Sequence, residues 1–254
     1  MASLGFSTLG CPGEPLDHVL ELAKRYDFTG LELRTADDEF THVGLTAAER
    51  RELRTRIEDA GLEILAVNSY VHLCAVEEQP LEAHLELAAD LGARGVRVFP
   101  GDDPEFTGAS PSPGEIRALD RVTSASKDSR ILLETHDSHS AGAKMAALCR
   151  LLDAEAPGHN AKVIWDSAHT WSHGETPAEA FELLEPWIDF IQIKDEDPVD
   201  YRPVPIGTGG YPIADLLTTL EGTDYWLSLE WELKWHPHLP PLAEALPATR
   251  AWLA

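Results

Sequence analysis

Four apolar runs in the second half of the chain each carry polar side chains near their carboxyl ends. If these runs are parallel strands, the polar groups meet at one edge of the sheet, because the carboxyl ends of parallel strands lie together. Alternation along a strand also places residues i and i+2 on the same side. The polar groups are Glu134 and His136, Asp166 and His169, Gln192 and Lys194, and Glu230 and Glu232.

Two glutamates, an aspartate and an amide oxygen form a set of oxygen ligands that suits a hard divalent cation. Such groups are costly to bury unless something satisfies them. The set predicts one divalent metal ion, with Mn²⁺ or Mg²⁺ favoured and Zn²⁺ or Co²⁺ as alternatives. A competing interpretation is a salt-bridged plug made with Arg97 and Lys194, but three carboxylates against two cations balance poorly. The predicted metal ligands are Glu134, Asp166, Gln192 and Glu230.

A hard cation beside two carboxylates is suited to carbonyl chemistry. The cation polarises a carbonyl and its neighbouring hydroxyl, and one carboxylate removes the α-proton. The opposite carboxylate then returns a proton to the other carbon or to the other face. These steps describe aldose–ketose isomerisation or epimerisation, and the spacing alone does not choose between the two.

Polar residues on the earlier strands are further candidates, each with a structural alternative. Glu32, between two leucines, either bonds a substrate hydroxyl or a neighbouring histidine, or pairs with Arg34 or Arg97. Arg97 is a strand arginine, which requires a carboxylate or an anionic ligand. His72 closes the third strand and is either a substrate ligand or an ordinary loop histidine.

The later motifs also have plain structural readings. Asp166 taken alone can cap the following helix and leave His169 in a loop. The glycine-rich stretch at 206–210 either cradles an anion with its backbone N–H groups or is a simple tight loop. The loop Asp102–Pro113, rich in Pro, Gly and Ser, is either a lid over the strand ends or a surface loop.

The elements that must position these groups recur along the whole chain. The ends of successive apolar runs lie about 32 residues apart, the size of a strand-plus-helix unit. Eight such units without a long linker predict one closed (β/α)₈ TIM barrel in a single domain over residues 1–254. A dinucleotide fold is disfavoured because no GxGxxG follows the first run. The runs are Leu4–Gly10, Gly30–Arg34, Glu63–Tyr70, Gly95–Pro100, Ile131–Asp137, Val163–His169, Phe190–Asp195 and Trp226–Glu232, and the helical patterns are Leu16–Tyr26, Thr46–Ala60, Leu81–Leu91, Pro113–Ser126, Ala143–Ala154, Pro177–Leu184, Ile213–Leu220 and Pro240–Leu253.

Local signals mark several helix ends. Thr46 with Glu49 and Thr176 with Glu179 are capping pairs three residues apart. Glycines just after helical patterns are typical of helix carboxyl ends, and we expect this role for Gly30, Gly61 and Gly92.

Composition excludes several classes of function. Twenty basic and 44 acidic residues give a net charge of −24, which repels phosphate backbones and disfavours a nucleic-acid partner. No apolar run is long enough for a membrane span, and the first residues lack the features of a signal peptide. Three widely spaced cysteines without a CxxC fit a reducing cytoplasm. An apolar contact surface for a homodimer can come from Trp171, Trp187, Trp231 and Trp235.

The order of these motifs resembles the sugar phosphate isomerase/epimerase superfamily, the xylose isomerase-like barrels. The resemblance extends along the chain through residues 30–34, 96–101, 133–137, 165–169, 191–195, 206–210 and 228–232. It implies that the four predicted ligands bind one metal ion, that Glu134 and Glu230 form the catalytic acid–base pair, and that His169 contacts a substrate oxygen. The other candidates for substrate binding are His136, Lys194, His72, Glu32 and Arg97.

One departure from the family pattern affects the choice of metal. Many members carry His where this chain has Gln192, and an amide oxygen is a weaker ligand than imidazole for Zn²⁺, which favours Mg²⁺ or Mn²⁺. The same superfamily contains endonucleases acting at abasic DNA sites, which the net charge makes improbable here. An amidohydrolase is disfavoured because the first run contains no HxH pair.

Three functions follow from the resemblance. The leading hypothesis is a metal-dependent isomerase or epimerase of a small sugar, a sugar phosphate or a keto-sugar, which transfers a proton through a metal-stabilised enediolate. The second is a hydro-lyase of the inosose dehydratase kind, which uses the same metal and enediolate but expels a β-hydroxyl. The third is a catalytically silent binding barrel, against which the presence of both Glu134 and Glu230 counts.

Overall fold

Eight parallel strands close into a barrel in the computed structural model, which describes residues 3–103 and 111–254. Each strand pairs with the next along the chain, and the last returns to the first. This closure confirms the predicted (β/α)₈ TIM barrel. The strands are β1 (Leu4–Ser7), β2 (Gly30–Arg34), β3 (Glu63–His72), β4 (Gly95–Phe99), β5 (Arg130–Glu134), β6 (Ala161–Asp166), β7 (Ile188–Ile193) and β8 (Leu227–Leu229).

Helices follow the strands as the repeat predicts. Three short segments were not predicted: 3₁₀ turns at Thr8–Gly10 and Asp137–His139, and the helix α6, which begins directly after Asp166. The helices are α1 (Leu16–Tyr26), α2 (Ala47–Asp59), α3 (Leu81–Leu91), α4 (Pro113–Ser124), α5 (Gly142–Glu155), α6 (Ser167–Ser172), α7 (Pro177–Leu184), α8 (Ile213–Thr219) and α9 (Leu242–Trp252).

The interior of the barrel is filled by a small cluster of fully buried apolar residues. Three of its members, Leu132, Ile164 and Phe190, lie two residues before Glu134, Asp166 and Gln192 on the same strands. Because residues i and i+2 share a side of a strand, each polar group lies one step above an apolar neighbour that fills the barrel. The packed core therefore supports the polar groups from below. Leu65 and Ala66 complete the cluster.

Helix ends confirm most of the local signals. Capping boxes form at Thr46 and at Thr176 as predicted, and Ser112 with Glu115 makes a third that was not predicted. Gly61 and Gly92 adopt positive φ after α2 and α3. The expectation for Gly30 was wrong.

Gly30 is the first residue of β2, and Asp27 takes the left-handed position after α1, with φ of 57°. Gly30 is needed for close packing instead. A Cβ atom there would lie 2.7 Å from the ring of Trp226 and 3.0 Å from Leu65. The chain at this point has no room for a side chain.

Other expectations meet the structure only in part. Most of the Asp102–Pro113 loop lies outside the described residues, so the lid stays a prediction. Within 3–103 and 111–254, no helix is both long and apolar enough to cross a membrane. The three cysteines are free and buried. Trp231 is buried and therefore offers no contact surface for a second copy.

Candidate active site

A cavity opens at the carboxyl ends of the barrel strands. It brings together six of the predicted site residues, namely Glu134, Glu230, His136, His169, Lys194 and Arg97. Asp166 and Gln192 are fully buried and do not line it. Its remaining lining residues are Ser7, Leu9, Arg34, Asn68, Tyr70, Phe99, Glu232 and Trp235.

Three carboxylates converge beside this cavity. Glu134 from β5, Asp166 from β6 and Glu230 just after β8 each offer an oxygen, and these atoms all lie within 4.8 Å of one another. All three side chains are almost completely buried. The convergence that the sequence predicted for these three ligands is therefore present in the structure.

Two buried cations neutralise the same carboxylates. Lys194 places Nζ 2.7 Å from Asp166 Oδ2 and 2.7 Å from Glu230 Oε2. Arg97 donates to Glu134 Oε2 over 2.9 Å and to the carbonyl oxygen of Ser69. The ion pairs of the salt-bridged plug are thus formed, although the carboxylates also have the spacing of a metal site.

Burial and mutual repulsion perturb the three carboxyl groups. Burial, and then the charge of Glu230, raise the pKa of Glu134. Burial also raises the pKa of Asp166 well above its usual range and outweighs the opposing charge of Lys194. Burial acts in the same direction on Glu230, but there the ammonium of Lys194 and a hydrogen bond with Asp166 prevail and lower the pKa. The cluster therefore holds carboxyl groups of unequal proton affinity.

Glu32 lies outside the cavity lining and links three strands by hydrogen bonds. Its carboxylate accepts hydrogen bonds from Asn68 Nδ2 over 3.0 Å, from Gln192 Nε2 over 2.8 Å and from the Ser228 hydroxyl. It pairs with neither Arg34 nor Arg97, and it is outside the lining of the cavity. Burial, and then the charge of Glu230, raise its pKa to about 7. Glu32 thus holds the side chain of the predicted ligand Gln192 from outside the cavity, and its predicted contact with a substrate stays a prediction.

His169 is held in one tautomer by the backbone of the preceding strand. Its Nδ1 lies 2.8 Å from the carbonyl oxygen of Thr135, so Nδ1 carries the proton and Nε2 is left as an acceptor. Burial, and then the charge of Lys194, lower its pKa well below the usual value. Asp166 does cap α6, as its plain structural reading proposed, and Oδ1 accepts from the N–H groups of Ala168 and His169. Its second oxygen, Oδ2, remains with Lys194.

His136 faces the cavity as half of a histidine–aspartate pair. Its Nδ1 lies 2.7 Å from Asp137 Oδ1, and its ring packs on Phe99 with centroids 4.3 Å apart. Burial acts to lower the pKa of His136, but the bond with Asp137 and the charge of Glu134 prevail and raise it. These contacts favour the protonated form of the His136 imidazole.

Two aromatic side chains, Tyr70 and Trp235, also line the cavity, and sequence reasoning did not assign them to the site. The rings of Tyr70 and Trp235 meet edge to face with centroids 6.4 Å apart, and Arg34 Nε donates to the hydroxyl of Tyr70 over 2.8 Å. Trp235 is 54% exposed at the mouth. Glu232 also lines the cavity, and strand alternation could have indicated this, because Glu232 lies two residues after Glu230.

Two other predicted features lie elsewhere. His72 is exposed at the end of β3 and lines a neighbouring depression with Asp102 and Asp103 rather than this cavity. The N–H groups of Gly207 and Gly209 donate to Asp195 Oδ2 over 2.8 and 2.9 Å. This loop is therefore held by an internal carboxylate, which favours its plain structural reading over the anion cradle.

This barrel, with its carboxylates at the strand ends, matches a known family over most of the chain. A model of the xylose isomerase-like TIM barrel aligns with residues 20–254. The chain belongs to this family. The resemblance inferred from the sequence motifs is confirmed.

Relatives within the xylose isomerase-like family carry out more than one reaction. A 3-dehydroshikimate dehydratase of Bacillus anthracis is 24% identical over 239 residues, which cover 84% of each chain. The IolI protein, solved with a zinc atom bound, superposes with a TM-score of 0.76 at 17% identity over 99% of this chain and 98% of that chain. An L-ribulose 3-epimerase superposes with a TM-score of 0.76 at 16% identity over 100% of this chain and 93% of that chain. Dehydratases and epimerases thus share this fold.

The residues of this xylose isomerase-like barrel fit a divalent metal ion. Besides the three clustered carboxylates, the amide oxygen Oε1 of Gln192 is buried and has no hydrogen-bond partner among the described residues. An unsatisfied buried oxygen costs free energy unless a ligand, ion or water satisfies it. Three carboxylates and an amide oxygen are the donors that Mg²⁺ and Mn²⁺ prefer. The chain therefore has a candidate metal site at these residues.

Proposed function

We propose that this chain is a divalent-metal-dependent isomerase or epimerase of a small sugar or keto-sugar. The observation that carries the proposal is the approach of ligand oxygens of Glu134, Asp166 and Glu230 to within 4.8 Å of one another beside a cavity that opens at the carboxyl ends of the strands. We assign Mn²⁺ or Mg²⁺ to the site, held by these three carboxylates and by Gln192 Oε1. When bound, the ion supplies Lewis acidity toward a substrate carbonyl.

The two glutamates have the properties of an acid–base pair. Glu134 and Glu230 come from different sides of the cluster, on β5 and after β8, and their environments shift their pKa values in opposite directions. Pairs of this kind divide the roles of proton acceptor and proton donor. We assign removal of the α-proton to one of them and return of a proton to the other.

Three cavity residues are assigned to substrate oxygens. His169 Nε2 is an acceptor because Nδ1 is held by Thr135, and it lies 3.1 Å from Lys194 Nζ. It can receive a hydrogen bond from a substrate hydroxyl when that ammonium turns to a substrate oxygen. Lys194 and His136 line the same cavity and donate to substrate oxygens. Arg97 reaches the cavity but is held by Glu134 and by Ser69, so its role is to fix Glu134.

A hydro-lyase is the second candidate, and two observations favour it. The relative at 24% identity is a dehydratase. In addition, His136, paired with Asp137, stands on the cavity wall as a further group that can protonate a departing substrate hydroxyl. Both candidates share removal of an α-proton and differ in the fate of the intermediate.

The accompanying expectations belong to the same proposal. We expect a small carbohydrate as the partner of the cavity and no nucleic-acid partner, because the net charge is −24. The single-domain organisation and the homodimer stay predictions.

Proton exchange tests the proposal and separates its two forms. The purified chain with Mn²⁺ is incubated in heavy water with a panel of ketoses and cyclic keto-polyols, and NMR follows deuterium at the α-carbon. A hydro-lyase also forms an unsaturated product with the loss of one water molecule, whereas the product of an isomerase or epimerase has the same composition as the substrate. Exhaustive chelation should stop exchange in either case.

Variants locate the exchange at the carboxylates. Glu134→Gln and Glu230→Gln should each lower the rate of deuterium exchange by about 10²–10⁴-fold, the usual contribution of a general acid or base. Glu182→Gln, on the exposed face of α7, is the matched control and should leave the rate unchanged. Exchange that persists after chelation, or in both glutamate variants, contradicts the proposal.

A further inference from the structure

The ammonium group of Lys194 occupies an unusual position for a lysine. It is 1% exposed, and Nζ lies 2.7 Å from each of Asp166 Oδ2, Glu230 Oε2 and Glu232 Oε1, and 3.1 Å from His169 Nε2. Lysine is almost never fully buried unless its charge is paired. Here one ammonium has three carboxylate partners and one imidazole partner.

Two of these three carboxylates are shared with the candidate metal site. Asp166 and Glu230 belong to the cluster whose oxygens lie within 4.8 Å of one another, whereas Glu232 does not. A divalent ion binds carboxylate oxygens at about 2.0–2.6 Å. Because like charges repel strongly in a buried site, the ion and the ammonium cannot both contact these oxygens at full strength.

The other buried cation lacks this freedom. The guanidinium of Arg97 is fixed by the carbonyl oxygen of Ser69 and packs over the ring of Phe99 at 4.1 Å. The Lys194 ammonium instead stands at the end of a flexible four-carbon chain. When Asp166 and Glu230 bind a metal ion instead, the ammonium still has Glu232 and His169 as partners, and neither belongs to the carboxylate cluster.

We propose that Lys194 is an internal competitor for the metal ion. In the metal-free chain its ammonium neutralises Asp166 and Glu230, and metal binding displaces it onto Glu232 and His169, both of which line the cavity. The inference rests on the proposed metal-dependent function. It has two consequences: the metal binds more weakly than the four ligands alone dictate, and the lysine is released toward the substrate only when the metal is bound.

Metal affinity measured without substrate tests the competition. Isothermal titration with Mn²⁺ gives Kd for the wild type, for Lys194→Met and for Lys234→Met. Lys234→Met is the matched control, because it removes the same charge from a pair with Asp38 at the same end of the barrel. We expect Lys194→Met to bind Mn²⁺ at least tenfold more tightly, about 1.4 kcal/mol, and the control to stay within about twofold of wild type.

A second comparison tests the displaced position of the lysine. Glu232→Gln should weaken Mn²⁺ binding in the wild-type background, because the released ammonium loses its remaining carboxylate. In the Lys194→Met background the same substitution should have a smaller effect. Equal effects in the two backgrounds contradict the displacement onto Glu232.

Folding of the variant does not limit the test. Lys194→Met leaves three carboxylates close together without their ammonium, so it is purified with Mn²⁺ and the chelator concentration that removes half of the metal is measured. Lys194→Gln, which keeps a hydrogen-bond donor, provides a second variant and should also hold Mn²⁺ more tightly than the wild type.

The outcomes separate this inference from the proposed function. If the wild type binds Mn²⁺ and both Lys194 variants bind it equally or more weakly, the competition is wrong and the metal-dependent function stands. If neither the wild type nor the variants bind Mn²⁺, and exchange in heavy water is also absent, both are wrong. Tighter binding by the variants supports the competition.

Discussion

Replacement of Glu32 tests whether the metal site depends on a carboxylate that is not itself a proposed metal ligand but holds one, Gln192, in place. Glu32→Leu removes the acceptor for Asn68 Nδ2, Gln192 Nε2 and the Ser228 hydroxyl, all in the barrel interior. Each buried donor left without a partner costs about 1–3 kcal/mol. We therefore expect the free energy of unfolding, measured by urea denaturation, to fall by roughly 3–9 kcal/mol. The freed amide of Gln192 should also raise the Kd for Mn²⁺ about 10–100-fold, as loss of a ligand's outer partner typically does.

Glu32→Gln is the matched control for this experiment. The amide oxygen of the new side chain can accept from Asn68 and Gln192, and its NH₂ group can donate to the hydroxyl of Ser228, which is free to act as an acceptor. We expect unfolding within about 1.5 kcal/mol of wild type, the size of one altered hydrogen bond. If Glu32→Leu is as stable as the wild type, or if both variants lose the same free energy, the orienting role of Glu32 is refuted.

Three further perturbations address other parts of the structure. Asp195→Ala removes a buried carboxylate that accepts from four backbone N–H groups, and it should lower the free energy of unfolding in urea by roughly 2–5 kcal/mol; an unchanged midpoint contradicts this. Trp235→Ala should raise KM about tenfold with little change in kcat, since the ring only lines the mouth, and Trp235→Phe should recover most of the loss; a fall in kcat alone argues against it. Burial lowers the pKa of His84, so the unfolded chain binds that proton more readily. Stability should therefore fall as pH drops below about 6.5, and His84→Gln should flatten this part of a plot of Tm against pH; identical plots exclude the effect.

The barrel was predictable because its signal repeats. Apolar runs and helical patterns about 32 residues apart have few arrangements other than a closed ring of parallel strands. Single-residue signals were less secure. Gly30 has the position of a helix-ending glycine, but close packing against Trp226 explains it, and that neighbour is nearly 200 residues away in the chain. The helix α6 is too short for periodicity to reveal it.

The site was predictable to the level of which side chains share a side of the sheet. Alternation placed Gln192 with Lys194 and Glu134 with His136, and the structure brings Lys194, Glu134 and His136 to one cavity. Alternation does not determine which partner a long side chain chooses. Glu32 had two arginines as sequence candidates, yet its partners are polar groups from β3, β7 and β8. Such choices depend on rotamers and on the closure of the barrel, which no short motif encodes.

The internal carboxylate in the glycine-rich loop bears on phosphorylated substrates. Backbone N–H groups of such loops commonly clamp phosphate, but here Gly207 and Gly209 already donate to Asp195. A phosphoryl group would have to displace the Asp195 carboxylate from these N–H groups. Because Asp195 belongs to the same chain, its effective concentration at the loop is high. The acidic surface of the protein adds long-range repulsion. We therefore expect the chain to discriminate against sugar phosphates and to prefer their unphosphorylated counterparts.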